Sequence, residues 1–186
     1  MSKEAHVSTY ERCLRPLLFK LDPETAHRLG QFALQWPFPW SLSSQSDFGD
    51  RLSVKVGNWT LDSPIGLAAG LDKNGAAVPG LQHLGFSYLT IGSILPEPFE
   101  GNPRPRLLRY PETESMANCY GLPSDGLAAC AVRFKRLASR PLKTKLIANI
   151  HTESVEDYAR CVEALAPYSD GVELAQVTQA TNDDVE

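Results

Sequence analysis

Apolar positions recur at helical spacing near the start of the chain. Asp22 can cap a helix and Pro23 suits its first position, while Ala26, Leu29, Ala33 and Trp36 share one face until Pro37 stops the run. Ahead of it, TYERCLRPLLFKL is a shorter helical piece interrupted by Pro16 and strongly apolar at Leu17, Leu18 and Phe19. The loop WPFPWSLSSQSDFGD follows and places a boundary between a helical segment, 1–46, and a main unit, 47–186. Gly57-Asn58 between apolar runs at 52–56 and 59–61 is a two-residue hairpin signal. Beyond it strands and helices alternate: 65–67 then 76–84, 88–91 then 127–137, 146–150 then 155–165, and 171–174. Such alternation predicts parallel βα units, wound either as an open sheet or as a closed (β/α)₈ barrel.

Composition narrows the function classes. The 186 residues are 42% hydrophobic with a net charge of −4, a globular balance that gives no electrostatic case for nucleic-acid binding. Cys13, Cys119, Cys130 and Cys161 are widely spaced with no CxxC pair, so reduced thiols and no metal site are expected. The opening MSKEAHVSTYERC has no apolar run of signal-peptide length, and nothing approaches the roughly 20 apolar residues of a membrane span. The expectation is a protein on the cytoplasmic side whose membrane contact is peripheral. Arg133, Lys135, Arg136, Arg140, Lys143 and Lys145 cluster around the end of one predicted helix, where positive charge complements the helix dipole. A solvated face and an anionic docking surface are both open for them.

Two segments carry candidate chemistry. PIGLAAGLDKNG runs from a strand into a helix, where βα folds place ligand contacts. Ala68, Ala69 and Gly70 leave the backbone bare enough for a flat ring, and Lys73 adds a positive charge; a tight turn with a solvated lysine explains the same residues. EPFEGNPRPR alternates prolines with Arg104 and Arg106, which suits an anion-facing loop or a stiff surface excursion. Neither a GxGxxG fingerprint opening a helix nor a P-loop is present.

In combination, AAGLDKNG, GFSYLTIGSI, PEPFEGNPRPRLLR and ANCYG, with LDPETAHRL near the start, closely resemble the class 2, quinone-dependent dihydroorotate dehydrogenases. The resemblance implies a partial TIM-type β/α barrel, about half of one, preceded by a short helical pair and a hairpin. It also implies FMN-dependent oxidation of dihydroorotate to orotate in pyrimidine biosynthesis, with electrons passed to a membrane quinone. By match, Ala68, Ala69, Gly70, Lys73, Ser93, Asn118 and Asn149 would contact FMN. Lys73, Asn118, Tyr120, Gly121 and Leu122 would face the substrate, and His27 and Arg109 would lie near the quinone.

The chain departs from that pattern toward its C-terminal end. Cys119 stands where the family usually has Arg, and Leu122-Pro123 where it has Phe-Asn. The Gly-Lys-Asn segment expected after Asn149 is absent. The catalytic segment aligns with Ala175 to Thr181, so Ala175 and Ala180 replace asparagines and Thr178 occupies the place of the serine base. An unassisted hydroxyl at Thr178 is a weak base. The chain reaches about the fourth strand of a barrel whose phosphate loops follow the seventh and eighth. Three expectations stay open: the front part of an enzyme, a degenerate non-catalytic subunit whose open half is covered by a protein partner, and two half-barrels associating into a flavoprotein. The isolated chain is expected to be inactive or nearly so.

Overall fold

The computed structural model describes residues 10–42 and 51–175. A π-helical turn, Tyr10–Leu14, runs into α1, Arg15–Leu18. Pro16 lies in the first turn of α1, where its missing N–H is not needed, so it helps start this helix instead of interrupting it. α2 spans Pro23–Leu34, and the Asp22 carboxylate accepts the Thr25 N–H at 2.9 Å, as the capping pattern predicts. The hairpin also forms as expected. β1, Val54–Val56, pairs antiparallel with β2, Trp59–Leu61, around Gly57, whose φ of +56° favours a residue without a side chain.

The helix expected over 76–84 shrinks to α3, Val78–Leu81. Gly80 there lies against the end of α2: a Cβ on it would sit 2.6 Å from the Leu34 carbonyl oxygen. β3, Tyr88–Ile94, is followed by an antiparallel pair that the pattern did not predict, β4, Leu107–Tyr110, and β5, Ser115–Asn118. α4, Gly126–Ala138, β6, Lys145–His151, α5, Val155–Leu165, and β7, Gly171–Ala175, complete the described chain close to their predicted limits.

The parallel sheet has the order β3-β6-β7. Residues 65–67 extend it on the far side of β3, as Leu67 donates to the Tyr88 carbonyl and accepts from the Thr90 N–H, both at 2.9 Å. Among the described residues, helices cover only one face. Leu89, Ile91 and Ile94 of β3 and Leu146, Ala148 and Ile150 of β6 join Leu81, Phe134, Cys161 and Leu165 of the three helices in one buried cluster. Strand alternation turns Ile147 and Asn149 of β6 to the other face, together with their β7 partners Gly171 and Glu173. An open doubly wound sheet has helices on both faces; a single helical layer is the arrangement of a closing barrel.

α2 is buried in an unusual sense. Its polar residue Glu24 is 6% exposed, whereas Leu29, Phe32 and the following Trp36 are 49%, 60% and 61% exposed. The predicted apolar face therefore points away from the barrel.

Phe134 is fully buried between the helices and the sheet. Phe134→Ala should lower unfolding stability by about 3–5 kcal/mol, the cost of a large cavity in a close-packed core, measured by urea denaturation.

Candidate functional site

Asp72 builds the turn that carries Lys73. Its Oδ1 accepts the backbone N–H groups of Asn74, Gly75 and Ala76 at 3.2, 2.9 and 3.1 Å, and its Oδ2 accepts that of Ala77 at 2.7 Å. The residue is 3% exposed, so four amides leading into α3 are satisfied by one buried carboxylate. The turn is also tied to its surroundings. The Asp72 carbonyl accepts the Gly92 N–H of β3 at 3.1 Å, and the Asn74 Oδ1 accepts the Asp125 N–H before α4 at 2.9 Å. Gln31 of α2 donates to the Leu71 carbonyl.

A second cluster fastens α2 to the proline-rich loop. Arg106 reaches Glu24 through Nη2 at 2.8 Å and Nε at 3.2 Å, and Arg104 adds a contact at 3.0 Å. Arg106 also donates to the Glu100 and Asn102 carbonyls and stacks over Tyr120, 4.9 Å from the ring centre. The Arg106 hydrogen bonds hold the Glu24 carboxyl below its ordinary range despite burial. Burial pushes the Tyr120 hydroxyl upward, and the Tyr120 Oη is buried without a hydrogen-bond partner among the described residues. His27 lies 6.1 Å from the Tyr120 ring. Burial lowers the His27 imidazole, with nearby Lys73 acting in the same direction. Lys73 is itself lowered by burial and then by the Arg106 charge.

Arg109 on β4 faces α1. It donates to the carbonyls of Leu18, Leu21 and Pro23 at 3.3, 3.5 and 3.4 Å. Its guanidinium also stacks 4.7 Å from the Phe19 ring centre, which Arg15 approaches at 4.6 Å. Arg109 thus orders the helical pair as well as lining the space beside it.

These groups surround one cleft of about 2560 Å³, several times the size of a pocket for a single small ligand. It opens at the C-terminal ends of 65–67 and β3, where barrels carry their ligand sites. His27, Ala69, Gly70, Lys73, Arg109, Asn118, Tyr120 and Gly121 line it together. Ala68, Ser93, Leu122 and Asn149 are not among its lining residues, and Thr178 lies outside the described residues. Asn149 is 3% exposed on the barrel-facing side of β6, and its Oδ1 has no partner among the described residues. Glu24 and Asp72 are the residues that sequence reasoning passed over. The signal for Asp72 was its place two residues before Asn74-Gly75 in a turn; Glu24 gave only that of an acidic first-turn residue.

Asp72→Ala should cost about 3 kcal/mol or more in urea denaturation, because it strands buried amides. Asp72→Asn should recover part of that loss through the oxygen that serves three of them. Acid gives a separate expectation for Glu24. Its value lies below the usual 4.5 in the folded chain, so its contribution is intact above 4.5 and is lost as pH falls through the depressed value. Tryptophan fluorescence should report loosening of α2 on that acid limb, and Glu24→Gln should remove the dependence.

Known proteins resemble this chain along most of its length. A family model described as dihydroorotate dehydrogenase matches residues 51–176. The dihydroorotate dehydrogenase (quinone) of Methylococcus capsulatus is 41% identical over 172 residues, which cover 89% of this chain and 50% of that protein. The mitochondrial dihydroorotate dehydrogenase (quinone) of Mus musculus is 37% identical over 174 residues, covering 87% and 43%. Among solved structures, DHODH of Eimeria tenella in complex with ferulenol superposes with a TM-score of 0.73 at 28% identity, covering 85% of this chain and 46% of that one. The chain spans about half the length of the curated relatives it matches. With its one-sided helical layer and the cleft at the strand ends, it belongs to the dihydroorotate dehydrogenase family and forms part of that family's TIM barrel.

Proposed function

We propose that this chain provides the N-terminal half of a dihydroorotate dehydrogenase flavin site and that, alone, it oxidises dihydroorotate little or not at all. The observation that carries the first half is the convergence of Ala69, Gly70, Lys73, Asn118 and Tyr120 on one cleft. One feature fits a flavin there: Gly70 has φ of +120° with nothing within 4 Å of the Cβ it lacks, which leaves open space over bare backbone.

FMN, when bound, accepts the electrons removed from the substrate. Ala68 to Gly70, Ser93, Asn118 and Asn149 are the residues that would hold it. Lys73, half-buried and fixed by the Asp72 turn, would place positive charge beside the flavin and the substrate carboxylate. An anion next to Lys73 would return its amine toward the ordinary value, because it offsets the burial that lowers it. Asn118, Tyr120, Gly121 and Leu122 would orient the dihydroorotate ring, Asn118 by donating and accepting in the ring plane. His27 and Arg109 would flank the quinone, beside the exposed apolar residues Leu14, Leu17, Leu29, Phe32 and Trp36 that suit peripheral contact with a membrane.

The low activity expected of the chain follows from its sequence at 175–181: Thr178 is a poor base at the position aligned with the family's serine, and Ala175 brings a methyl group where the family has a polar side chain. The same substitutions favour a second reading, a non-catalytic subunit whose open barrel side is covered by a protein partner.

The purified 186-residue chain should hold FMN well below one equivalent by absorbance and should not reduce a quinone with dihydroorotate. Stoichiometric flavin with turnover would overturn the reading. A colourless chain that co-purifies in a defined larger complex would favour the subunit. Where flavin is retained, Lys73→Met should lower its occupancy, whereas Thr178→Ala should leave it unchanged.

A further inference from the structure

One side of the cleft, the end of β5 and the turn after it at 118–121, takes its place from the proline-rich loop beside it. The Asn102 N–H donates to the Tyr120 carbonyl and the Cys119 N–H to the Arg106 carbonyl, both at 2.9 Å, and Asn102 Nδ2 donates to the Cys119 carbonyl at 2.8 Å. Gly101 permits so close an approach, since a Cβ there, at φ of +82°, would strike the Tyr120 carbonyl oxygen. The Tyr120 Oη has no hydrogen-bond partner among the described residues, so the phenol is held by its ring and not by its hydroxyl.

Arg106 joins this contact to α2. Its side chain is 11% exposed and every part of it is engaged: Nε and Nη2 on Glu24, Nη1 on the Glu100 and Asn102 carbonyls, and the guanidinium plane on the Tyr120 ring. Five donors around a flat cation are what arginine has and lysine lacks. Arg104 also meets Glu24, but it is 60% exposed, and a solvated ion pair holds little. His27 adds a tilted ring contact to Tyr120 at 6.1 Å. Glu24 is buried, so without the Arg106 fork its charge would lose its main compensation, and α2 and Arg106 hold each other in place. The other tie of α2, from Gln31 to the Leu71 carbonyl, leads to the Lys73 turn instead.

We propose that Arg106 is a positioning residue: it sets Asn118, Tyr120 and Gly121 along the cleft and makes their placement depend on how α2 is seated. That this side receives dihydroorotate rests on the proposed function; the link to α2 does not. Leu29, Phe32 and Trp36 stand outward on and just after the same helix, so a hydrophobic surface that engages α2 acts on the far side of the cleft through one guanidinium.

Native-state exchange of the Asn102 and Cys119 amides, followed by NMR in the 186-residue chain, reads the contact at its own hydrogen bonds. Glu24→Gln should speed both amides about tenfold or more, the factor that a lost charge-assisted hydrogen bond is worth. Arg106→Lys, which keeps the charge and loses the fork, should do the same, whereas Gln31→Ala should leave both at wild-type rates, with circular dichroism unchanged in all three. Wild-type rates in Glu24→Gln or in Arg106→Lys would overturn the proposal, as would equal loosening in Gln31→Ala. Calorimetric titration with dihydroorotate separates the link from the functional reading. Where the wild-type chain binds it, Arg106→Lys should weaken binding about tenfold, and unchanged affinity would sink the positioning role. A wild-type chain that does not bind it, while both amides respond, supports the link and removes dihydroorotate from the proposed function.

Discussion

The buried carboxylate of Asp72 is the constraint on which the candidate site depends. By accepting four successive amides it forces the chain to turn sharply after 65–67 and start α3 at once, which leaves Lys73 at the mouth of the cleft. A side chain doing this work must be short, anionic and dry: short to stay within the turn, anionic to serve four donors with two atoms, and dry so that water does not compete. Through Gly92 and Asn74 the same turn is hydrogen-bonded to β3 and to the entry of α4, which ties strand, helix and the lysine's turn together.

Charge shapes the rest of the cleft. Lys73, Arg104, Arg106 and Arg109 stand on its walls, which carry seven basic and six acidic side chains in all, and Glu24 is buried beside Arg104 and Arg106. Lys73 and His27 are both lowered first by burial and then by a neighbouring cation, so an anion beside Lys73 would relieve the cost of its charge. The proline-rich loop holds the arginines apart: Arg106 is fixed through two loop carbonyls as well as through Glu24.

Much of this was legible in the sequence, but unevenly. α5 occupies the predicted 155–165, and the β1–β2 hairpin turns at Gly57-Asn58, because periodicity and turn chemistry are local properties. β4 and β5 escaped notice since LLRY and SMAN are four-residue strands beside prolines, paired only because the chain folds back at 111–114. The choice between open sheet and barrel was also beyond periodicity; it rests on which face α3, α4 and α5 share. Of the candidate site residues, Lys73 stood out from its turn and Asn118 from motif resemblance. Glu24 could not, since its partner Arg106 is 82 positions away and nothing local distinguishes a structural ion cluster from a capping charge.

The reversed burial of α2 bears on when its apolar side is available. Glu24 and Gln31 face the body of the protein and are tied there by charge and a hydrogen bond, with His27 beside the Tyr120 ring, while Leu29, Phe32 and Trp36 look outward. A helix that hid its apolar residues would have to swing away before anything could touch them, and binding would then be gated by that motion. Here the greasy side is on permanent display, so an encounter with a hydrophobic surface needs no rearrangement, and the underside stays charged and fastened throughout.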